Sequence, residues 1–174
     1  MRRLIIAHIL SGYAAMEVDA LRHQYDPRTA AAMEAHVTLA GPVDTDVPLL
    51  EIEAVVRQCA AEAESCDLVI EGATTFLPTT STAYLPVGPA DRLVALHDLL
   101  LGRLGWKEEY PYVPHVTVAE YLSPAETEAV VRQLAAVDVF VCDRLDSITL
   151  LEKSSTGKWV SVLTCHLGSH RAAT

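Results

Sequence analysis

Histidine is followed two positions later by threonine at two matching places in this 174-residue chain. The segments are Ala35-His36-Val37-Thr38-Leu39-Ala40 and Pro114-His115-Val116-Thr117-Val118-Ala119. Two apart is the strand period, so in extended backbone His36 and Thr38 share one face while Val37 and Leu39 share the other. His115 and Thr117 stand against Val116 and Val118 in the same way. Each strand thus carries an imidazole and a hydroxyl on an aliphatic backing. Imidazole gives or takes a proton near neutral pH. Two of them flanking one substrate form a general acid and a general base, one drawing a proton from water while the other protonates a departing oxygen. Hydroxyls beside them can donate hydrogen bonds to a charged, non-reacting oxygen. A phosphodiester offers both kinds of oxygen. One such pair on a strand is ordinarily structural, but two at matching places predict a single shared site.

The surrounding chain reads as two similar halves. Residues 3–10 are nearly all apolar and predict a buried strand ending at Ser11-Gly12. Residues 13–24 predict a helix with Tyr13, Met16, Ala20 and Leu21 inward, broken at Tyr25-Asp26-Pro27, and residues 28–33 a short helical turn. The first motif strand then stops at Gly41-Pro42. Asp46 is the expected N-cap of a helix with Pro48 in its first turn and Leu49, Ile52, Val56, Cys59 and Ala63 on its apolar face. Residues 67–77 and 81–87 predict strands around a turn at Pro78-Thr79-Thr80, and residues 90–104 a helix with Leu93, Leu96, Leu100 and Leu104 inward. The proline-punctuated Tyr110-Pro111-Tyr112-Val113-Pro114 leads into the second motif. Ser123-Pro124-Ala125-Glu126 is a capping box that starts a helix to about 136. Residues 138–167 predict strands with a turn at 154–157. The fold class expected is α+β: one domain of two pseudo-symmetric lobes, roughly 1–80 and 81–174, with antiparallel sheets facing a central groove and helices outside.

Composition limits the partners. The formal net charge of −10 argues against non-specific binding to long nucleic acid. No apolar run of about 18 residues predicts a membrane span, and the interrupted run Leu4 to His8 reads as a strand and not a leader. Cys59, Cys66, Cys142 and Cys165 form no CxxC pair and no zinc-type cluster, so reduced thiols, a cytoplasmic location and no metal site are expected.

The paired motif resembles the 2H phosphoesterase superfamily, which includes the 2′-5′ RNA ligase-like proteins and the cyclic nucleotide phosphodiesterases. Further stretches are similar: Tyr25-Asp26-Pro27 before the first motif, Phe76 and Pro78 with Ala83-Tyr84-Leu85-Pro86-Val87, and Ile148-Thr149-Leu150-Leu151 followed by Trp159. Ala35 stands where a proline often precedes the first histidine, and Ala40-Gly41-Pro42 replaces a more apolar ending. The resemblance implies His36 and His115 as catalytic acid and base and Thr38 and Thr117 as phosphate-binding residues, with no cofactor. It leaves open which histidine plays which part. It suggests that Tyr84 stacks on a base or ribose and that Lys153 or Lys158 reaches a phosphate.

The activity expected is metal-independent hydrolysis of a 2′,3′-cyclic phosphate on a nucleotide or RNA end, or of a 2′-5′ linkage, by a monomeric protein acting on a small nucleotide or RNA terminus. The alternatives are a non-catalytic nucleotide- or RNA-end-binding module of the same fold, and a metallohydrolase that uses the histidines as ligands, against which stands the lack of Asp/Glu company. His8 is expected to be a satisfied core or edge residue, and His23, His97, His166 and His170 are expected at the surface.

Overall fold

The computed structural model describes residues 1–168; His170 lies outside them. The chain runs β1 (Arg2–Ile9), α1 (Gly12–Tyr25), α2 (Pro27–Ala32), β2 (His36–Thr45), α3 (Leu49–Glu62), β3 (Cys66–Glu71), β4 (Thr74–Thr75), β5 (Thr82–Gly88), α4 (Ala90–Leu104), β6 (His115–Glu120), α5 (Pro124–Val137), β7 (Phe140–Leu145), β8 (Ser147–Lys153) and β9 (Trp159–His166).

Two antiparallel sheets result. One has the order β2-β1-β8-β9. In the other, β3 and β4 lie end to end along one edge of β5, β6 pairs with its other edge, and β7 pairs with β3. The motif strands β2 and β6 are therefore equivalent: each borders its sheet, and they lie alongside each other. The sheets do not divide the chain near residue 80. The first is built from both ends of the chain and the second from its middle. Ile148-Thr149-Leu150-Leu151 explains the return, because all four are buried. A strand buried on both faces belongs inside a sheet, and β8 fills the place between β1 and β9.

Burial sets the register of the motifs. Val37, Leu39 and Val118 have no exposure and Val116 has 1%, which contributes about 1.5–3 kcal/mol for each side chain. A slip by one residue would put the histidines in the core and these side chains in water. The helices that follow β1 and β5 cross over: α1 packs on β6 and α4 on β2. Each motif strand is thus held by a helix that starts from the other sheet.

Several local expectations change. β2 continues past Gly41-Pro42 to Thr45 through an irregularity in its pairing with β1. Gly41 allows this, since its φ is +89° and a Cβ there would sit 2.9 Å from the Leu4 carbonyl oxygen. The expected strand 67–77 breaks at Gly72, between β3 and β4. Pro48, not Asp46, is the N-cap of α3; Asp46 pairs instead with the terminal ammonium at 2.6 Å. On α1 the buried residues are Ala14, Val18 and Arg22, while Tyr13 and Met16 are exposed. The weak apolar pattern of this helix was overridden by a buried arginine, whose stem packs while its guanidinium reaches Asp19 and the Thr29 carbonyl. The capping box at Ser123 and Glu126 is present as read.

Candidate active site

The registers place the motif side chains on the exposed inner faces. His36 stands opposite Ile9 and Thr38 opposite Ala7, while His115 stands opposite Pro86 and Thr117 opposite Tyr84. All four motif side chains are half-buried. The Nδ1–H of His36 donates to the Glu34 carbonyl at 2.7 Å, and that of His115 to the Val113 carbonyl at 2.6 Å. A carbonyl only accepts, so each ring carries its proton on Nδ1 when neutral and leaves Nε2 as the lone-pair nitrogen. Neither Nε2, nor the hydroxyl of Thr38 or Thr117, has a protein partner among the described residues. The two half-sites repeat each other down to the orienting hydrogen bond.

Burial disfavours the imidazolium at both positions. It pushes His36 down to about 4, with the charges of Arg22 and His115 adding to the effect against the Glu34 carbonyl and Asp19. Burial also lowers His115, opposed by the Val113 carbonyl. The mutual influence of the rings means that a proton on one discourages a proton on the other.

A groove of about 670 Å³ opens beside them, lined by Thr38, His115 and Thr117, by Phe76 and the threonines 79, 80 and 82, and by residues 107–113. That last segment is a strap, and it is tied to the opposite motif strand. The Tyr112 hydroxyl donates to the Thr38 carbonyl at 2.8 Å, and the Gly41 N–H donates to Glu108 Oε1 at 2.9 Å. His97 stacks on Tyr112 with ring centroids 4.0 Å apart and donates its Nδ1–H to the Leu39 carbonyl at 2.8 Å. His97 is therefore buried, contrary to the surface position expected for it. Burial and the nearby Glu108 carboxylate push the Tyr112 phenol well above its ordinary range, so it remains a donor.

Tyr84 is buried and does not line this groove. It stacks on Phe76 at 4.0 Å, and both rings meet the His115 imidazole edge-on, at 5.2 and 4.9 Å. Phe76 is the member of this pair that lines the groove, and Tyr84 backs it. Lys153 and Lys158 are exposed on the β8–β9 hairpin, Lys153 with its ammonium 5.8 Å from the Trp159 ring centroid. Neither lines the groove of the two threonines.

At the far end of β6, the Glu120 carboxyl is raised by burial and by Asp26, against Arg22 and Lys153. Burial acts to raise Asp26 as well, but hydrogen bonds from the Thr29 hydroxyl and from the N–H groups of Glu120 and Thr29 hold it below its usual range. Asp26 is thereby both the N-cap of α2 and the clasp joining it to the second motif strand. Tyr112, His97, Arg22 and Asp26 all escape a reading of the local sequence. The aromatic and proline run 110–114 marks Tyr112, and the break at Tyr25-Asp26-Pro27 marks Asp26, but neither shows the contact that residue makes. Among the described residues no three His, Cys, Asp or Glu side chains gather where they could hold a metal ion.

The same fold is found in solved structures. Escherichia coli LigT, crystallised with NADP+, superposes with a TM-score of 0.70 over 96% of this chain and 98% of its own, at 20% identity. TT0787 of Thermus thermophilus does so with a TM-score of 0.66 over 97% and 98%, at 15% identity. These define the class by fold. By sequence, the model of the 2′-5′ RNA ligase superfamily matches residues 12–157. A protein of Geobacillus sp. (strain WCH70) named "Putative phosphoesterase" is 34% identical over 149 residues, 84% of this chain and 86% of that protein. One of the same name from Oceanobacillus iheyensis is 31% identical over 154 residues, 87% and 90%. The chain belongs to the 2′-5′ RNA ligase superfamily, the 2H phosphoesterases.

Proposed function

We propose that the protein hydrolyses a phosphodiester of a nucleotide or RNA end by acid–base catalysis between His36 and His115, with a 2′,3′-cyclic phosphate as the substrate that uses the fewest parts. The observation that carries this is the repeated tautomer: both rings are oriented by a backbone carbonyl, and among the described residues both Nε2 atoms and both neighbouring threonine hydroxyls are unpartnered. The Thr38 and Thr117 hydroxyls donate to the non-bridging phosphate oxygens. In this reading the pair holds a single proton on His115, whose ring lines the groove, while His36, held neutral by burial, is the base. His36 Nε2 takes a proton from water as the water oxygen bonds to phosphorus. His115 Nε2–H gives its proton to the ribose oxygen as the bond between that oxygen and phosphorus breaks. Water and cyclic diester become a monoester, and proton exchange with solvent resets the pair. An anionic phosphate between the rings favours their charged forms, which offsets the burial that lowers both.

Turnover of the four nucleoside 2′,3′-cyclic monophosphates, with the product isomer resolved by chromatography, tests this. A single isomer formed by wild type, with Thr38→Ala and Thr117→Ala each losing about 1–3 kcal/mol of transition-state stabilisation, is the expected result. A mixture of isomers formed at a rate no greater than that without protein would overturn it.

A further inference from the structure

β2 and β6 share a second feature directly past their motifs. Where β2 pairs with β1, Thr38 stands opposite Ala7 and Ala40 opposite Ile6, so Leu39 is an extra residue. Where β6 pairs with β5, Thr117 stands opposite Tyr84 and Ala119 opposite Ala83, so Val118 is the extra residue. Each motif strand thus has a β-bulge after its threonine, and the matching positions beyond the bulges are Gly41 and Glu120. The N–H at both positions donates to a carboxylate: Gly41 to Glu108 Oε1 at 2.9 Å and Glu120 to Asp26 Oδ2 at 3.2 Å.

The carboxylates are placed crosswise. Glu108 lies in the strap that leads into the second motif, and it holds the first motif strand. Asp26 precedes α2, which leads into the first motif, and it holds the second motif strand. The helices cross in the same sense, α4 packing on β2 and α1 on β6, and Tyr112 adds a bond from the strap to the Thr38 carbonyl. A bulge interrupts the ladder, so the course of the strand around it needs support from outside the pairing. A carboxylate serves well, because hydrogen bonds to ionised acceptors are about twice as strong as those between neutral groups. The precision matters: one phosphate must meet both threonine hydroxyls and both Nε2 atoms at once, and a misplacement of about 1 Å costs about 10²-fold in rate.

We infer that Asp26 and Glu108 are equivalent positioning residues, each seating the His-x-Thr strand of the opposite half, so that a reciprocal pair of N–H···carboxylate bonds brings the two half-sites to one phosphate. The inference rests on the phosphodiesterase reading above and adds to it two residues that act through the backbone of the motif strands. Glu108 also lines the groove, so Glu108→Gln, which keeps the acceptor and removes the charge, separates the bond from the field of the carboxylate.

The test is a set of double-variant cycles on kcat for the best 2′,3′-cyclic phosphate substrate. Glu108→Ala and Asp26→Ala should each lower kcat about tenfold or more, with KM changed about threefold at most. Glu108→Gln and Asp26→Asn, whose amide oxygens still accept the N–H, should restore most of the rate. Asparagine also keeps the α2 cap, so the Asp26 comparison does not depend on that helix surviving the alanine. The loss from Glu108→Ala should overlap with that from Thr38→Ala and multiply with that from Thr117→Ala. Asp26→Ala should overlap with Thr117→Ala and multiply with Thr38→Ala. Amide hydrogen exchange gives a readout free of activity: Glu108→Ala should speed exchange in residues 36–41 and leave 115–120 unchanged, and Asp26→Ala should do the reverse. Overlap with the threonine of the carboxylate's own half, losses that multiply in all four pairs, or exchange that rises equally in both strands would overturn the crosswise seating. Absence of wild-type turnover would instead count against the catalytic reading, and the exchange pattern would then decide the seating by itself.

Discussion

Replacing His36 by asparagine should change how the stability of the protein depends on pH. Burial pushes His36 from an ordinary 6.5 down to about 4, so the folded protein holds this ring neutral where the unfolded chain protonates it. Above pH 6.5 the ring is neutral in both states and contributes nothing to the pH dependence. As pH falls from 6.5 towards 4 the unfolded state gains the proton first, and stability is lost; below about 4 the loss is complete. A shift of that size corresponds to roughly 3 kcal/mol between about pH 7 and pH 4. The ring is half-buried, so solvent reduces the effect, and about 2 kcal/mol is the expected value. The assay is urea unfolding of wild type and His36→Asn at half-unit steps from about pH 4 to 8, read as the difference in unfolding free energy between the two proteins. Other titrating groups largely cancel in that difference. Wild type should lose stability relative to the variant as the pH is lowered. A difference flat across the range, or one that grows in favour of wild type at low pH, would refute burial as the dominant influence on His36.

Tyr112→Phe keeps the stack on His97 but removes the hydroxyl that binds the Thr38 carbonyl. It should cost about 1–2 kcal/mol in urea unfolding with an unchanged m value, and kcat should fall more than KM rises. Gly41→Ala places a Cβ against the Leu4 carbonyl at a backbone angle that suits glycine. A loss of about 1–3 kcal/mol, seen as a lower unfolding midpoint, is expected. Asp143 accepts from the Ser11 N–H and hydroxyl and faces His8 Nε2 at 3.1 Å, joining β1 of one sheet to β7 of the other. Asp143→Ala should therefore destabilise by about 3 kcal/mol or more, measured in the same way.

The parts of the molecule legible in the chain are those governed by local period. His36, Thr38, His115 and Thr117 fall on one face because strands alternate. The capping box at Ser123 was readable because its partners lie three residues apart. Relations between distant segments were not readable. Ile148 to Leu151 announces a buried strand, but nothing local says that it pairs with β1 and moves the chain's last hairpin into the first sheet. His97 looks like any histidine on a helix until α4 crosses to β2, where the Leu39 carbonyl and the Tyr112 ring enclose it. Arg22 shows the converse case, a charge that local pattern assigns to solvent and that tertiary packing buries between α1 and α2. Phe76 and Tyr84 form a stacked pair, and only the three-dimensional arrangement says which of them reaches the groove.

The central claim is that His36 and His115 act as one unit without metal. Its most direct test is the hydrolysis rate of the best 2′,3′-cyclic phosphate substrate, with EDTA present, for wild type, His36→Ala, His115→Ala and the double variant. Wild-type turnover should persist in EDTA. Each single variant should fall by about 10²–10⁴-fold, and the double variant should be little slower than either single one, because removing one partner already disables the pair. Losses in the two single variants that multiply in the double variant, or wild-type turnover abolished by EDTA, would contradict the account.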